Sequence, residues 1–334
     1  MAPASRTPLS LPDLISSFSN LSILPAPPET DLSPELPCYI ASLPEELLAQ
    51  ILTLLATKDL AAFARTAQVC KRLAYLVNTE DSIWKRVALG NEIGFGAMLW
   101  EYACDIEGQN LSRVSDLLGD YSLHEPSEQA AAFVSTQGSP LLNSSYPTHR
   151  QLLRLRPRIR FTGVYISTVN YNRPGAASTT TSTWGTAPVH IVTYFRYLRF
   201  FRDGSVISLL TTTEPGSVVE HLTRENLHAR HHTGSQLPSA VMKDALRGRW
   251  RLSSPTSGTE GEVEGDVHIE TLGVVPKYTY KMLLGVGGST GKSNNKLVWK
   301  GFWSYNRLTD DWAEFGLRND RAFWFSRVGR WGNE

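Results

Sequence analysis

The run from Leu43 to Arg86 has more apolar side chains at helical spacing than a bundle of its length can bury. It reads LPEELLAQILTLLATKDLAAFARTAQVCKRLAYLVNTEDSIWKR. Pro44 suits the first helical position, where a missing N–H costs nothing. Glu45 and Glu46 then fall in the first turn, where negative charge complements the helix dipole. The run therefore predicts a helix that begins at its Leu-Pro pair.

Three helices are predicted in this run. The first carries apolar residues at spacings of three and four: Leu47, Leu48, Ile51, Leu52, Leu54 and Leu55. A break at Thr57-Lys58-Asp59 precedes a second helix that carries Leu60, Phe63 and Ala64. The third helix carries Val69, Cys70, Leu73, Leu76 and Val77, and the run ends on Ile83 and Trp84.

A segment of about 45 residues is below the size at which a lone core is comfortable. Its first helix is apolar over more than the stripe that two short partner helices can cover. Some of these leucines must therefore be covered by another element. Periodicity alone leaves two alternatives, the rest of this chain or a foreign subunit.

Composition narrows the classes of function. The chain has 334 residues, enough for two domains or one large one, and a formal charge of +1. With so little net charge, the protein has no overall electrostatic attraction to nucleic acid or to a membrane surface. The three cysteines, Cys38, Cys70 and Cys104, have no disulfide or zinc spacing, which suits a reducing compartment. No apolar run is long enough to span a bilayer, and no secretory signal is evident, so we expect a cytoplasmic protein, with the nucleus as a second compartment.

The chain divides into four predicted segments. Residues 1–38 are a Pro/Ser-rich, mostly disordered leader, in which the apolar island 11–24 can form a transient helix or a binding motif. Residues 39–90 are the helical module. Residues 91–156 are a helical connector with short helices over 96–106, 111–118 and 148–156, the last ending before Pro157. Residues 157–330 form a β-domain.

The β-domain contains at least eight β-branched and aromatic runs, several of which alternate. In one run, the alternation places Tyr278, Tyr280 and Met282 on the same face of a strand. In a second run, it places Leu297, Trp299, Trp303 and Tyr305 on one face. In a third run, Trp324 is predicted on the opposite face from Phe323 and Phe325. Period-two patterning with short gaps predicts an antiparallel barrel, which leaves no free edges. Two loops are long, 172–186 and 212–247, and helical spacing in the second predicts a helix there.

The helical run resembles the F-box, a small module that docks a protein onto the Skp-type adaptor of a cullin ubiquitin ligase. The matching features are the Leu-Pro opening, the Asp-Leu start of the second helix, the Val-Cys-Lys-Arg-Leu core and the Ile-Trp end. The resemblance implies a Skp-type adaptor, a cullin scaffold and a RING subunit as partners. The residues it assigns to adaptor docking or its support are Leu43, Pro44, Leu47, Leu48, Ile51, Leu60, Val69, Cys70 and Trp84.

The β-domain resembles the C-terminal domain of the F-box only protein 9 family, including fungal members. The resemblance rests on RPRIRFTGVYISTVNYNRPG, YFRYLRFFRDGSVISLLTT and NKLVWKGFWSYN, and with the F-box it covers about residues 40–330. It implies an α+β multidomain protein whose substrate-facing domain is a calycin- or lipocalin-like antiparallel barrel. The Gly248-Arg249-Trp250 triplet also resembles the G-x-W that opens lipocalin-type barrels.

Many members of that family carry tetratricopeptide-like repeats before the F-box, and this chain shows no such repeat period. Either this member lacks the repeats or the numbered chain starts late. No role that depends on the repeats is carried over to this protein.

Arginine and tyrosine are enriched around the first predicted strands. The candidates for client binding are Arg158, Arg160, Tyr165, Tyr171, Arg173, Arg196 and Arg199. Two readings remain open. In the first, these arginines bind an acidic or phosphorylated degron through bidentate contacts. In the second, they are solvent-exposed side chains on the outer face of the barrel.

No catalytic, cofactor or metal site is predicted. The loop GVGGSTGKS lacks the glycine that a phosphate loop requires at position 286, and a strand pattern follows it, so we expect a hairpin. The HARHH run at 228–232 is interpreted as a polar surface loop rather than a metal or anion site. Asp310, Asp311 and Glu314 suit a turn.

We therefore predict a non-catalytic substrate receptor, with client proteins as partners and neither nucleic acid nor membrane. The alternative is a lipid or small-ligand carrier with the F-box as a secondary module, whose pocket Trp299, Trp303 and Trp324 would line. Nucleic-acid binding by Arg and Tyr on a β-surface is disfavoured by the near-neutral charge.

Overall fold

A computed structural model describes residues 10–18, 21, 23, 37–109, 111, 146–174, 189–228, 239–253, 263–289 and 291–331. The chain divides into two compact units. The first comprises residues 1–96 and 131–153, and the second comprises residues 97–130 and 154–334. Within the described ranges, no helix combines the length and the apolar character needed to span a membrane.

Helices α1–α6 account for most of the described first unit. They are α1 Leu11–Ser16, α2 Glu45–Lys58, α3 Leu60–Thr66, α4 Lys71–Thr79, α5 Asp81–Leu89 and α6 His149–Leu155. A 3-10 turn, Tyr39–Ser42, precedes α2. Helix α1 lies in the apolar island of the predicted leader, most of which falls outside the described residues.

The run predicted as three helices contains four. Glu80 is extended and ends α4, after which α5 begins at Asp81 and carries Ile83 and Trp84. Val69 and Cys70, expected on the third helix, precede it, and Cys70 is the N-cap of α4. Asp59 caps α3 by accepting hydrogen bonds from the N–H groups of Ala61 and Ala62, which explains the break before that helix.

The core of this unit is built from one face of each helix. Leu48, Leu52 and Ala56 of α2 are buried against Phe63 and Trp84. The rings of Phe63 and Trp84 meet edge to face with centroids 5.4 Å apart. The indole Nε1 of Trp84 donates to the Val77 carbonyl at 2.7 Å. Trp84 is thus held as a core residue with its one polar atom satisfied.

Helix α6 completes this core from a distant part of the sequence. Leu153 is buried in the same cluster. His149 pairs with Asp81 at 2.5 Å from Nδ1 to Oδ2, and its N–H donates to Asp81 Oδ1 at the start of α5. The guanidinium of Arg150 lies 5.3 Å from the Trp84 ring centroid. The last helix predicted for the connector is therefore confirmed, and its residues up to Leu153 belong to the first unit.

The described residues of the second unit form nine strands in one sheet. They are β1 Gly163–Pro174, β2 Val189–Phe200, β3 Ser205–Thr211, β4 Leu246–Leu252, β5 Asp266–Leu272, β6 Tyr278–Ser289, β7 Lys292–Asn306, β8 Asp311–Glu314 and β9 Phe323–Arg327. All pairings are antiparallel, in the order β6-β5-β4-β3-β2-β1-β9-β7-β8. The further pairing of β6 with β7 closes eight strands into a barrel, and β8 is attached to β7. The predicted antiparallel barrel is confirmed.

Aromatic side chains fill one end of the barrel. The Phe200 ring lies 5.5 Å from the Tyr165 ring and 5.7 Å from the Trp250 ring, and both pairs are nearly perpendicular. Phe161, which precedes β1, packs 5.8 Å from Trp250. The Trp250 indole donates to the Phe201 carbonyl at 2.8 Å. We call this the closed end. At the opposite end, where β1 and β3 finish, Tyr171 and Leu210 are exposed, and we call it the open end.

A bulge corrects one predicted face. In β7, Gly301 pairs with Leu283 and Trp299 pairs with Leu284, so Lys300 is an extra residue. Side-chain parity therefore reverses there. Trp299 shares a face with Phe302, at 5.6 Å between rings, and Trp303 and Tyr305 lie on the other face. The opposition of Phe323 and Trp324 is as predicted, since Phe323 is buried and Trp324 is exposed.

Short helices cover part of the outer barrel surface. They are α7 Pro215–Val218, the 3-10 turn Val219–His221, α8 Arg224–His228 and α9 Ser239–Met242. Val218, Leu222 and Met242 are buried against Ile207 and Leu209 of β3. The helix predicted in this long loop is thus present as several short ones.

The connector is not helical where it was expected to be. Apart from the 3-10 turn Phe95–Ala97, residues 96–106 contain no helix. They follow the barrel instead, since Leu252 N–H donates to the Leu99 carbonyl at 2.7 Å and Arg249 stacks on Tyr102 at 4.2 Å. Contact with the barrel overrides the weak local helix preference. The helix predicted over 111–118 lies outside the described residues, except for Leu111.

Gly248→Ala should lower the free energy of unfolding of the second unit by about 1–3 kcal/mol, because added methylenes in a packed site force strain. A Cβ at Gly248 would lie 2.2 Å from the Glu270 carbonyl oxygen in the neighbouring strand. Gly216→Ala is the control, since nothing lies within 4 Å of its added Cβ. Chemical denaturation measures both variants. Equal stability of the two would contradict the proposed crowding at Gly248.

Leu153→Ala should destabilise the helical unit by about 2–5 kcal/mol, the cost of truncating a buried leucine. Leu155→Ala on the same helix is the matched control, because Leu155 is 56% exposed. Amide hydrogen exchange of α2–α5 measures the effect. Faster exchange in both variants, or in neither, would show that α6 is not part of this core.

Candidate docking surface and the arginine-rich face of the barrel

Helix α2 has two apolar faces rather than one. Leu48, Leu52 and Ala56 form the buried face, at 7%, 4% and 0% exposure. Leu47, Ile51 and Leu54 recur at i, i+4 and i+7 and form the second face, at 43%, 51% and 65% exposure. The surplus of apolar side chains predicted from the sequence is therefore present, and the described residues of this chain leave it exposed.

Further exposed apolar side chains flank α2 in the sequence. Tyr39 and Ile40 of the preceding 3-10 turn are 78% and 54% exposed, and Val69 before α4 is 73% exposed. We define the docking surface as Tyr39, Ile40, Leu47, Ile51, Leu54 and Val69. Its members Tyr39, Ile40 and Leu54 were not among the predicted docking residues. For Leu54 the signal was its helical spacing from Leu47 and Ile51.

The other predicted docking residues have supporting positions. Leu48 and Trp84 are core residues. Leu43 and Leu60 are half-buried against the same core, and Cys70 is half-buried at the start of α4. Pro44 is exposed and is the N-cap of α2, one position before the predicted place in the first turn.

The predicted client-binding arginines are largely built into the fold. Arg158 is buried, and burial together with the neighbouring Arg160 lowers its pKa to about 10. Arg160 donates to the Ser293 carbonyl at 2.7 Å and stacks 5.3 Å from the Phe325 ring centroid. Tyr165 is fully buried at the closed end, and burial raises its pKa. The backbone N–H of Arg160 also donates to the Tyr165 hydroxyl at 3.0 Å, which ties β1 to the segment before it.

Arg196 and Arg199 point to opposite sides of β2. Arg196 lies 4.9 Å from the Phe302 ring centroid and 3.6 Å from the Asp320 carboxylate, and burial lowers its pKa. Arg199 is buried, donates to the Leu222 carbonyl at 2.6 Å and lies 3.6 Å from the Trp331 ring centroid.

Three of these arginines lie over aromatic rings of the β-domain: Arg160 over Phe325, Arg196 over Phe302 and Arg199 over Trp331. Arg158 and Arg199 are buried, so they are not solvated side chains on the outer face. Client binding by this cluster stays a prediction. Tyr171 is exposed at the open end. Arg173 lies in β1, and its side chain is outside the described part of the structure.

Comparison with protein families assigns both regions. The family described as F-box-like matches residues 40–90. The family described as F-box only protein C-terminal region matches residues 140–305. The chain fits the F-box only protein family. The F-box is thus α2–α5 with their flanking turns, and the second matched region begins before α6 and extends into β7.

Two fungal F-box proteins are similar to this chain. The F-box protein HRT3 of Saccharomyces cerevisiae is 31% identical over 178 residues, which cover 53% of this chain and 45% of that protein. The F-box protein pof7 of Schizosaccharomyces pombe is 32% identical over 182 residues, 54% of this chain and 44% of that protein. The matched part is thus under half of each relative. No solved structure matches.

The remaining expectations concern other possible sites. The glycine-rich loop is a hairpin in which Ser289 pairs with Lys292. The HARHH run beyond His228 lies outside the described residues. In the ranges that are described, no group of three His, Cys, Asp or Glu side chains is placed to hold a metal.

The tryptophans predicted to line a ligand pocket do not share one. Trp299 is stacked between Phe302 and Phe323, at 5.6 and 5.2 Å. Trp303 lies on the opposite face of β7, and Trp324 is exposed beside Lys296. The geometry of the barrel therefore does not favour the carrier alternative.

Arg199→Gln should destabilise the barrel by about 1–3 kcal/mol, because it removes a buried charged donor and its aromatic contacts. Arg318→Gln is the control, since Arg318 is exposed. Thermal unfolding measures both. A neutral effect of Arg199→Gln on stability would contradict this structural role of Arg199.

Proposed function

We propose that this chain is the substrate-recognition subunit of an SCF-type ubiquitin ligase. Its F-box docks a Skp-type adaptor, which links it to the cullin scaffold and the RING subunit. Its barrel selects client proteins for ubiquitination and degradation. The observation that carries the proposal is the second apolar face of α2, which is exposed although the first face already fills the core.

The size of the exposed surface supports a protein partner. Fully burying one Leu or Ile side chain contributes about 1.5–3 kcal/mol. Leu47, Ile51 and Leu54 can together supply several kcal/mol when a partner covers them. The charged residues of α2 lie at its two ends, Glu45 and Glu46 in the first turn and Lys58 in the last, and residues 47–57 between them carry no charge. The contact expected at this surface is therefore an apolar one between α2 and a helix of the partner.

In this role the chain performs no covalent chemistry. A separate conjugating enzyme carries the ubiquitin thioester, and the receptor holds a client lysine near it. Proximity converts a bimolecular encounter into an effectively unimolecular one. We propose that the complex works in the cytosol, with the nucleus as a second compartment.

The double variant Leu47→Ala, Ile51→Ala should abolish most adaptor binding, because it removes about 2 kcal/mol or more of burial per side chain. The measurement is co-purification of the full chain with a Skp-type adaptor, followed by titration of the purified pair. Both side chains are exposed in the free chain, so the fold should persist.

The matched control is Val274→Ala, Val275→Ala, which truncates two exposed apolar residues between β5 and β6. It should bind the adaptor as the unmodified chain does. Adaptor binding that survives the change at positions 47 and 51 in a folded protein would refute the docking role of α2.

A further inference from the structure

A cleft of about 300 Å³ lies at the open end of the barrel. It is formed where β6 begins and β7 ends, beneath the β7–β8 hairpin. Its aromatic rings are those of Tyr278, Tyr280 and Phe315. Trp312 also lines the cleft, but its ring packs against Tyr305 on the other face of the sheet. Asp311 also lines it and carries the only charge among the described lining residues.

The walls of the cleft are fixed by the fold. The Phe315 N–H donates to the Phe302 carbonyl at 2.8 Å, and the two rings stack with centroids 4.4 Å apart. Tyr280 meets Phe315 nearly edge to face at 6.0 Å. Asp311 pairs with Asn306 in the β7–β8 ladder. A ligand therefore meets a preformed arrangement of rings and one carboxylate, which reduces the entropic cost of binding.

The chemistry of this lining favours a cation. The face of an aromatic ring attracts an ammonium or guanidinium group within about 6 Å of its centroid. The Tyr278 ring shows this attraction, since Lys277 Nζ lies 5.0 Å from its centroid. Asp311 pairs with Asn306 and so lies on the same face of the sheet as Tyr278 and Tyr280. The Trp312 ring lies on the other face, 4.7 Å from the Tyr305 ring and beside Lys281, and does not take part in this site.

The size of the cleft favours a side chain over a larger molecule. Its volume is at the low end of the roughly 300–1,000 Å³ typical of ligand pockets. The interior beyond it is occupied by Phe302 and Trp299, whose rings are 5.6 Å apart. An acyl chain would have to displace these rings, whereas one long side chain fits at the entrance.

We propose that this cleft binds a lysine or arginine side chain of a client protein. The proposal rests on the proposed function, since it gives the barrel's client a chemistry and a place. A phosphorylated or acidic segment is disfavoured here, because it would meet the Asp311 carboxylate and no free cation that lines the cleft.

The test uses the full chain in complex with its adaptor and three small probes. These are the amides of N-acetyl-lysine, N-acetyl-norleucine and N-acetyl-phosphoserine. Norleucine has the lysine stem without the ammonium group. The backbone amide signal of Trp312, a residue that lines the cleft, reports binding in protein with isotope-labelled tryptophan. Lysine should bind at least about tenfold more tightly than norleucine, the value of a partly desolvated cation–π contact.

Two variants test the lining. Tyr280→Leu removes one ring, and Asp311→Asn removes the carboxylate at constant shape, and each should weaken lysine binding about tenfold. Asp310→Asn is the matched control, since Asp310 does not line the cleft and an amide oxygen can still accept the Tyr305 hydroxyl hydrogen bond. It should change lysine binding less than about twofold, as expected of an exposed charge outside the site.

Each other outcome is informative. Equal binding of norleucine and lysine, stronger binding of phosphoserine, or full lysine binding by Asp311→Asn overturns the proposal. Adaptor capture by the same variants is measured in parallel and should be unchanged. If the cleft variants fail these tests while adaptor capture stays intact, the ligase role stands. Adaptor binding that survives in the folded Leu47→Ala, Ile51→Ala variant would defeat that role independently.

Discussion

The second unit depends on the pairing of β6 with β7, which closes eight strands into a ring. Closure lets Trp250, Tyr165 and Phe200 become fully buried within one sheet, and the indole of Trp250 still finds a backbone carbonyl. It also removes most of the free strand edges. These three rings fill the closed end, and the cleft lined by Tyr280, Asp311 and Phe315 lies at the open end.

The sequence predicted the architecture well, because alternation and helical spacing are strong local signals. Tyr280 and Met282 share a face as their period-two spacing requires, and the surplus of leucines on α2 is exposed as expected. Two local features escaped prediction. The extra residue at Lys300 reverses side-chain parity in β7, and the extended Glu80 divides one predicted helix into two. Neither of these two features produces a periodicity that can be recognised in the sequence.

The candidate sites were harder to predict than the fold. The arginines around β1 and β2 looked like a surface for anions, because sequence shows charge but not burial. In the structure Arg199 lies between Trp331 and Phe201, and Arg196 lies over Phe302. The cleft at the open end brings Tyr280 together with Asp311 and Phe315, which only the β7–β8 hairpin makes neighbours. Its existence depends on register, which the sequence pattern does not specify.

Helix α6 has a consequence for how such proteins evolve. Leu153 and His149 belong to the F-box core, although they follow it by about 60 residues and lie within the family match of the C-terminal region. The two regions are therefore not cleanly separable cassettes. A gene rearrangement that moves the first region onto another recognition domain must also carry residues 146–153. Without them, the transplanted helical bundle lacks the helix that completes its core.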